Sequence, residues 1–205
     1  CNDLAATGAR PVGLQVVLLL PDSFSKEDIS RIMGEIHDTA AALEVEILGG
    51  HTEILSAVEK PLVVVTGVGK ADKDKYIATA DAEVNDDIIL TKGMGIEGTY
   101  ILASDFSDFL KEKGVEKSVI AEALELEKDL SVLKEGKIAA ENGANSLHDI
   151  TEGGLWGALT ELSQAAAKGF IIRRSQLFVT PPTREICKAL AIDPGGLLSS
   201  GSMLI

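Results

Sequence analysis

The N-terminal part of the chain alternates between runs of β-strand type and one long periodic segment, and this alternation restricts the fold more than any other feature. Residues 12–20 form an apolar run with β-branched residues, which we interpret as a strand. Apolar residues then recur at helical spacing over residues 25–43, with Ser25 as a suitable N-cap. Residues 45–48 and 61–68 are interpreted as two more strands, the first ending at Gly49-Gly50. The order strand, helix, strand, strand predicts an α/β or α+β domain.

A polar and charged segment at residues 70–85 separates this part from the rest of the chain. We therefore predict two domains, at residues 1–75 and 76–205. Leu155, Leu159, Leu162 and Ala166 form an apolar stripe that should face the core of the second domain. For that domain we predict strands at residues 88–90 and 170–172, and helices around residues 96–112, 118–129, 131–143, 154–168 and 183–190.

Composition excludes several classes of function. The net charge is −13, so the chain has no basic field with which to bind nucleic acid or anionic membranes. No apolar stretch approaches the roughly 20 residues needed to span a bilayer.

Cys1 and Cys187 show no metal-ligand spacing, and two thiols do not indicate a disulfide framework, so we expect a reduced, cytoplasmic protein. The chain starts without Met and stops inside an apolar run, so we expect it to be an internal piece of a longer protein.

Gly93, Gly95 and Gly98 spell G-x-G-x-x-G after an apolar run and before a predicted helix, which is the context of a dinucleotide-binding loop. That fold also requires a second strand ending in an acidic residue about 20 residues later. The following segment is charged and helical instead, which argues against a nicotinamide or flavin site. Two interpretations stay open: the glycines cap and pack the helix, or they face a phosphate.

The segment ILGGHTEI carries a second candidate site. Gly49 and Gly50 would let backbone N–H groups approach an anion closely, and His51 and Glu53 would add a proton donor and a metal ligand. The alternative is a hairpin turn with exposed polar residues.

The segment LHDITEGGLWGAL carries a third. Asp149 and Glu152 lie close enough in sequence to share a cation, and Mg²⁺ prefers carboxylates together with phosphate oxygens. His148 stands beside them. The alternative is that both carboxylates only cap the following helix and complement its dipole. Asn2-Asp3 precede a short helix, and they too could be an N-cap pair.

Three motifs in order resemble one family. NDLAATGARP, ILGGHTE and HDITEGGLWGAL are similar to the three motifs of the AIR synthase (PurM-like) superfamily, and most of all to its HypE-like, AIR-synthase-related members. The resemblance implies a two-domain fold, with an N-terminal domain that forms a dimeric β-barrel and a C-terminal α/β sandwich. It also implies ATP and Mg²⁺ as cofactors, a homodimer, a small-molecule substrate and, as a further partner, another maturation protein.

The resemblance also implies roles for single residues. Asp3 and Asp149 match Mg²⁺-binding aspartates, and Glu152 stands where a second acidic ligand is found. Nucleotide-contacting positions are matched by Asn2, Asp3, Gly49, Gly50, Thr52, Thr151, Gly153 and Gly154. The catalytic residue is open among His51, Glu53 and His148. In HypE the third motif reads R-D-P-T-R-G-G-L, whereas this chain has His148 and Glu152 at the arginine positions.

Three functions follow as hypotheses. The first is an ATP-dependent ligase or maturation enzyme that activates a carbonyl, amide or similar acceptor with the γ-phosphate of ATP. The second is a small-molecule kinase or selenophosphate synthetase of the same fold. The third is a non-catalytic dimeric scaffold, against which the retained carboxylates of Asp3 and Asp149 argue, because a scaffold needs neither.

Overall fold

The computed structural model describes residues 1–73 and 75–205. In chain order its elements are α1 (Asn2–Ala5), β1 (Arg10–Leu20), α2 (Lys26–Ala42), β2 (Glu46–Ile54), β3 (Leu62–Lys70), α3 (Ile96–Asp105), α4 (Ser107–Glu112), α5 (Lys117–Leu124), α6 (Leu133–Glu141), β4 (His148–Asp149), α7 (Gly154–Ala166), α8 (Pro181–Leu190) and β5 (Met203–Leu204). Short 3-10 turns lie at Thr79–Asp81, Glu125–Asp129, Arg174–Gln176 and Pro194–Gly196. None of the described helices is long and apolar enough to cross a membrane.

The chain forms two compact units. Arg10–Ala71 is one of them, the strand unit, and Cys1–Ala9 together with Asp72–Ile205 is the other, the helical unit. The first residues of the chain therefore pack with its C-terminal part, as shown by α1, which contacts α6 and β4. The predicted boundary between residues 75 and 76 stays a prediction, and residue 74 lies outside the described residues.

The strand unit is a three-stranded sheet in the order β2-β1-β3. β1 is parallel to β2 and antiparallel to β3. Since side chains alternate across a strand, one face of β1 buries Leu14, Val16, Leu18 and Leu20. The predicted order strand, helix, strand, strand is confirmed.

Helix α2 begins with a capping box. The Ser25 hydroxyl accepts from the Asp28 backbone N–H at 3.1 Å, and the Asp28 carboxylate accepts from the Ser25 N–H at 3.0 Å. These two bonds satisfy donors that the first turn of a helix leaves unpaired. The start predicted at Ser25 is therefore confirmed, and the helix ends at Ala42 with Leu43 as its C-cap.

The predicted end of the second strand at Gly49-Gly50 is wrong. β2 runs through both glycines to Ile54 and pairs with β1 up to Leu20. A Cβ at Gly50 would lie 1.7 Å from the carbonyl oxygen of Val16, so the close approach of β1 requires glycine there. The pairing register shifts between Leu14 and Gln15, which is a bulge rather than a turn. The alternative of a hairpin turn at this point is therefore also wrong.

Two strands predicted in the second domain are not formed. Residues 88–90 contribute only an isolated bridge between Leu90 and Leu204, although Ile89 and Ile205 exchange both backbone hydrogen bonds. Residues 170–172 are irregular, and Ile171 is 89% exposed. No described strand pairs with this segment, and its Phe170 packs against the core cluster that includes Leu204 instead.

Most helices of the second domain are shorter than predicted, whereas α8 is longer than the predicted 183–190 because it begins at Pro181. The segment 96–112 forms two helices that break at Phe106, and the segment 118–129 ends as an α-helix at Leu124 and continues as a 3-10 turn. The predicted apolar stripe of α7 is confirmed. It packs into a core that includes Met94, Ile150 and Leu204, and its members are Leu155, Leu159, Leu162 and Ala166.

Candidate functional site

Two of the predicted metal ligands come together in the helical unit. Asp3 lies on α1, and Asp149 lies on β4, which pairs with β5 at Met203. Burial raises the pKa of the Asp149 carboxyl, and the nearby carboxylate of Asp3 raises it further. The fold thus holds a half-buried carboxylate next to a second one, which is an environment that a cation would stabilise.

This carboxylate pair fits a magnesium ion only with additional ligands. Among residues 1–73 and 75–205, no three His, Cys, Asp or Glu side chains form a group that could hold a metal. Glu152 is exposed and does not complete a three-residue group with Asp3 and Asp149. Mg²⁺ is commonly bound by one or two carboxylates together with substrate phosphates and water. The pair therefore suits a metal that arrives with a phosphate, and the ligand role of Glu152 stays a prediction.

The side-chain amide of Asn2 forms hydrogen bonds within the protein. Its Nδ2 donates to the carbonyl oxygen of Leu130 at 2.8 Å, and its Oδ1 accepts from the backbone N–H of Val132 at 3.1 Å. Gly136 on α6 lies against the same short helix, where a Cβ would approach the Ala5 carbonyl oxygen to 2.5 Å. The amide of Asn2 therefore anchors α1, while its predicted contact with a cofactor stays a prediction.

His148 is also held at both ring nitrogens. Nε2 lies 2.9 Å from the Glu161 carboxylate, and Nδ1 lies 3.4 Å from the hydroxyl of Thr79. The Thr79 hydroxyl donates to the Leu147 carbonyl oxygen at 3.0 Å. These contacts orient the ring on the element that carries Asp149. The catalytic candidacy of His148 stays a prediction, and a catalytic role would require the ring to exchange one of these partners.

The third motif forms the start of α7. Gly153 is the N-cap in the left-handed region (φ 80°), and the Gly154 N–H donates to the Thr151 carbonyl oxygen at 3.1 Å. A Cβ at Gly154 would lie 2.5 Å from the Leu197 carbonyl oxygen, so this glycine permits close packing of the following loop. The first turn of a helix of 13 residues presents N–H groups that favour an anion, and Thr151 precedes it.

In the strand unit, His51 and Glu53 lie on the same side of β2 because they are two residues apart. The His51 Nε2 is 3.4 Å from a Glu53 carboxylate oxygen, and the two side chains are 65% and 51% exposed. Thr52 points to the opposite face. The two catalytic candidates of this segment therefore contact each other, while their roles, and those of Gly49, Gly50 and Thr52, stay predictions.

The glycine-rich loop has a structural role. The N–H groups of Gly95 and Ile96 donate to the buried Ser199 hydroxyl at 2.8 and 3.3 Å, so the N-terminus of α3 is capped by a distant serine. A Cβ at Gly98 would lie 2.5 Å from the Leu197 side chain. Of the two open interpretations, the structure favours capping and packing. The capping role of Ser199 could not be predicted from the sequence, because no local pattern links this serine to a helix that starts more than a hundred residues earlier.

A groove of the helical unit lies apart from these residues. It measures about 1170 Å³, and neither Asp3 nor Asp149 lines it. Its walls include the apolar side chains of Ile89, Ile138 and Phe178. This groove therefore does not contain the carboxylate pair, for which the binding of a phosphate and a metal stays a prediction.

Family models cover most of the chain. The N-terminal domain of AIR synthase related proteins matches residues 1–71, and the C-terminal domain of the same proteins matches residues 83–205. The chain belongs to the AIR synthase related family. The resemblance drawn from the three ordered motifs is thereby confirmed.

Several curated relatives are named as a hydrogenase expression/formation protein or as HypE. The AIR synthase related chain is 30% identical over 208 residues to a protein of Methanocaldococcus jannaschii whose name describes a hydrogenase expression/formation protein. It is 29% identical over 206 residues to the carbamoyl dehydratase HypE of Rhodobacter capsulatus. Each match covers 100% of this chain and 58% of the relative, so the chain spans a little over half the length of these proteins.

Solved structures agree with this fold. The hydrogenase maturation protein HypE in complex with ATP matches 99% of this chain and 58% of its own, with a TM-score of 0.79 and 22% identity. The complex of HypE with HypF matches 99% of this chain and 64% of its own, with a TM-score of 0.80 and 19% identity. The predicted PurM-like, two-domain α/β class is confirmed by these neighbours.

Proposed function

We propose that the full-length protein is an ATP- and Mg²⁺-dependent enzyme that activates a carbonyl, amide or similar acceptor with the γ-phosphate of ATP. The observation that carries this proposal is the pair formed by Asp3 and Asp149, in which a half-buried carboxylate lies beside a second one. A pair of like charges is costly in a folded protein unless a cation neutralises it. The likeness to HypE in complex with ATP supports a nucleotide as the ligand that brings this cation.

Each residue of the site has a role in this proposal. Asp3 and Asp149 would hold Mg²⁺, which when bound neutralises the charge of phosphate oxygens. The Thr151 hydroxyl and the first turn of α7 would contact a phosphate, because that helix end offers N–H donors and a positive dipole end. ATP supplies a phosphoryl group that turns a poor leaving oxygen into a good one. The name carbamoyl dehydratase of a relative supports an amide oxygen as that acceptor.

We propose a homodimer that forms through the strand unit. The side chains of Leu62, Val63, Val64 and Val65 are each between 50% and 54% exposed, although they follow one another along β3. An exposed apolar edge strand is a ready template for pairing with another chain. The complex of HypE with HypF supports a second maturation protein as a further partner. Light scattering of the protein with and without Val64→Lys would test the dimer.

Calorimetric titration of ATP into the full-length protein, with and without Mg²⁺, tests the proposed activity. We expect Mg²⁺-dependent binding that is lost in Asp149→Asn, because the amide keeps the shape of the carboxyl but not its charge. Asp108→Asn is the matched control, since Asp108 is exposed and pairs only with Lys111 in the described chain. Equal Mg²⁺ dependence in the two variants would contradict the assignment of Asp149.

The product then distinguishes the enzyme classes. Phosphorus NMR of a reaction with a candidate acceptor would show a stable phosphorylated product for a kinase. An activating enzyme would instead release phosphate only when the acceptor is consumed. Full-length protein that binds no ATP at all would favour the non-catalytic scaffold.

A further inference from the structure

Lys92, in the glycine-rich loop, has its ammonium enclosed by oxygen atoms. Its Nζ donates to the carbonyl oxygens of Asp129 and Ser131 at 2.9 and 2.6 Å. It also lies 3.1 Å from a Glu135 carboxylate oxygen, and the two side chains are only 19% and 22% exposed. The ammonium therefore sits where a bound cation would, inside a cage formed by one segment of the chain, residues 129–135.

The backbone at this position is unfavourable for a lysine. Lys92 has φ 53°, in the left-handed region that glycine adopts freely and that other residues rarely occupy. A glycine would suit this backbone better, and the next residue is Gly93. The side-chain contacts of Lys92 must offset this strain, so the ammonium is the reason for a lysine here.

The caged segment is the same one that anchors α1. Asn2 bonds the Leu130 carbonyl oxygen and the Val132 N–H, while Lys92 takes the carbonyl oxygens of the alternate residues, Asp129 and Ser131. Residues 129–132 are therefore held between the two side chains. Asn2 is followed by Asp3, so the position of this carboxylate depends on where the segment lies.

The second oxygen of Glu135 supports the comparison with a cation site. Oε2 is buried, and it has no hydrogen-bond partner among the described residues. A tethered ammonium reaches only some of the oxygens around it. A free ammonium ion has four donors and no tether, so it could reach this oxygen as well.

We propose that Lys92 is a positioning residue, whose ammonium serves as a built-in cation that fixes residues 129–135 and, through Asn2, the metal ligand Asp3. The inference rests on the proposed Mg²⁺–ATP site and adds to it the residue that sets its geometry. The described contacts of the Lys92 ammonium are with Asp129, Ser131 and Glu135, and not with Asp3 or Asp149. Its effect passes through two hydrogen-bonded side chains and one backbone segment.

The variant Lys92→Gly tests the proposal. It relieves the left-handed strain and leaves the cage open, so it should fold. In the full-length protein with Mg²⁺ and choline chloride we expect the affinity for ATP to fall roughly 10- to 100-fold, the size of effect seen when residues that orient metal ligands are removed. Replacing choline chloride by ammonium chloride should restore most of this loss, because an ammonium ion can enter the empty cage. The affinity of the wild type for ATP should be the same in choline chloride and in ammonium chloride.

Two matched variants separate this effect from simpler ones. Ala191→Gly removes a side chain from a residue with the same φ of 53°, and Lys137→Ala removes an exposed lysine that pairs with Glu141. Both should leave the affinity for ATP and its response to ammonium unchanged. An unchanged affinity in Lys92→Gly would overturn the proposal, and so would a loss that ammonium does not restore.

Hydrogen exchange provides a readout that does not depend on nucleotide binding. The Val132 amide, which donates to Asn2, should exchange faster in Lys92→Gly and slow again when ammonium chloride is added. If the wild type binds no ATP, the proposed function fails, and this exchange experiment still decides whether Lys92 holds the segment. Unchanged exchange at Val132 would overturn the positioning role whatever the nucleotide data show.

Discussion

Ser199→Ala would test whether the Ser199 hydroxyl caps the start of α3 in the glycine-rich loop. The Ser199 side chain is fully buried, accepts from the N–H groups of Gly95 and Ile96 and lies 2.9 Å from the Ser202 hydroxyl. Alanine removes one oxygen with little change of shape and leaves two buried N–H donors without this partner. Two lost hydrogen bonds and the desolvation of the orphaned donors should lower the free energy of unfolding by about 3 kcal/mol.

The assay is thermal unfolding followed by circular dichroism, in which this loss corresponds to a melting temperature lower by roughly 6–12 °C for a chain of this size. Ser118→Ala is the control, because Ser118 is exposed and bonds only to Glu116 in the described structure. It should change the free energy of unfolding by less than about 0.5 kcal/mol. A loss below about 1 kcal/mol in Ser199→Ala would mean that water reaches the start of α3, and the reasoning from burial would be wrong.

Two further predictions concern the helical unit. Burial and the Asp3 carboxylate raise the pKa of Asp149, so the folded state disfavours its ionised form. The contribution of this group to the free energy of unfolding is therefore present below the ordinary carboxyl pKa. It is lost as the pH rises through the raised pKa. Without Mg²⁺, Asp149→Asn should therefore melt at a higher temperature than the wild type at pH 7, and this advantage should vanish in acid; a lower melting temperature at pH 7 would contradict it. Gly98→Ala would place a methyl group 2.5 Å from the Leu197 side chain, so we expect it to reduce the free energy of unfolding by about 1–3 kcal/mol. Adding Leu197→Ala should restore part of this loss. If the losses of the two single variants simply add, the two residues do not collide.

The carboxylate of Asp149 is proposed to have two opposite effects, since it should destabilise the protein without metal and should bind Mg²⁺. A carboxylate that destabilises the empty protein and binds a metal, as proposed for Asp149, would be an example of a functional site that is kept at a cost in stability. The same variant should thus gain stability and lose Mg²⁺-dependent binding. Measuring both in one protein separates a functional carboxylate from a helix cap, for which the two effects would not have opposite signs.

Features that depend on a few neighbouring residues could be predicted from the sequence. The capping box of Ser25 and Asp28 and the apolar stripe of α7 are local, because a helix brings together residues that are three or four positions apart. The three ordered motifs identified the family for a related reason, since each one lies within a single short stretch of chain. Glycine was harder to interpret, because it suits both a turn and a strand that another backbone approaches closely.

The tertiary structure alone decided what lies beside each of these local features. β2 continues through Gly50 because β1 passes 1.7 Å from the place where a Cβ would be, and nothing in the sequence around Gly50 records that neighbour. Asp3 and Asp149, and likewise Ser199 and Gly95, are more than a hundred residues apart in the sequence and come together only when the elements pack. The sequence by itself determined the order of strands and helix in residues 10–70, the capping box of α2, the apolar stripe of α7 and the family, because these depend on short-range periodicity and hydrogen bonding. The pairing of the carboxylates and the closure of the glycine-rich loop depend on long-range contacts, which only the folded chain specifies.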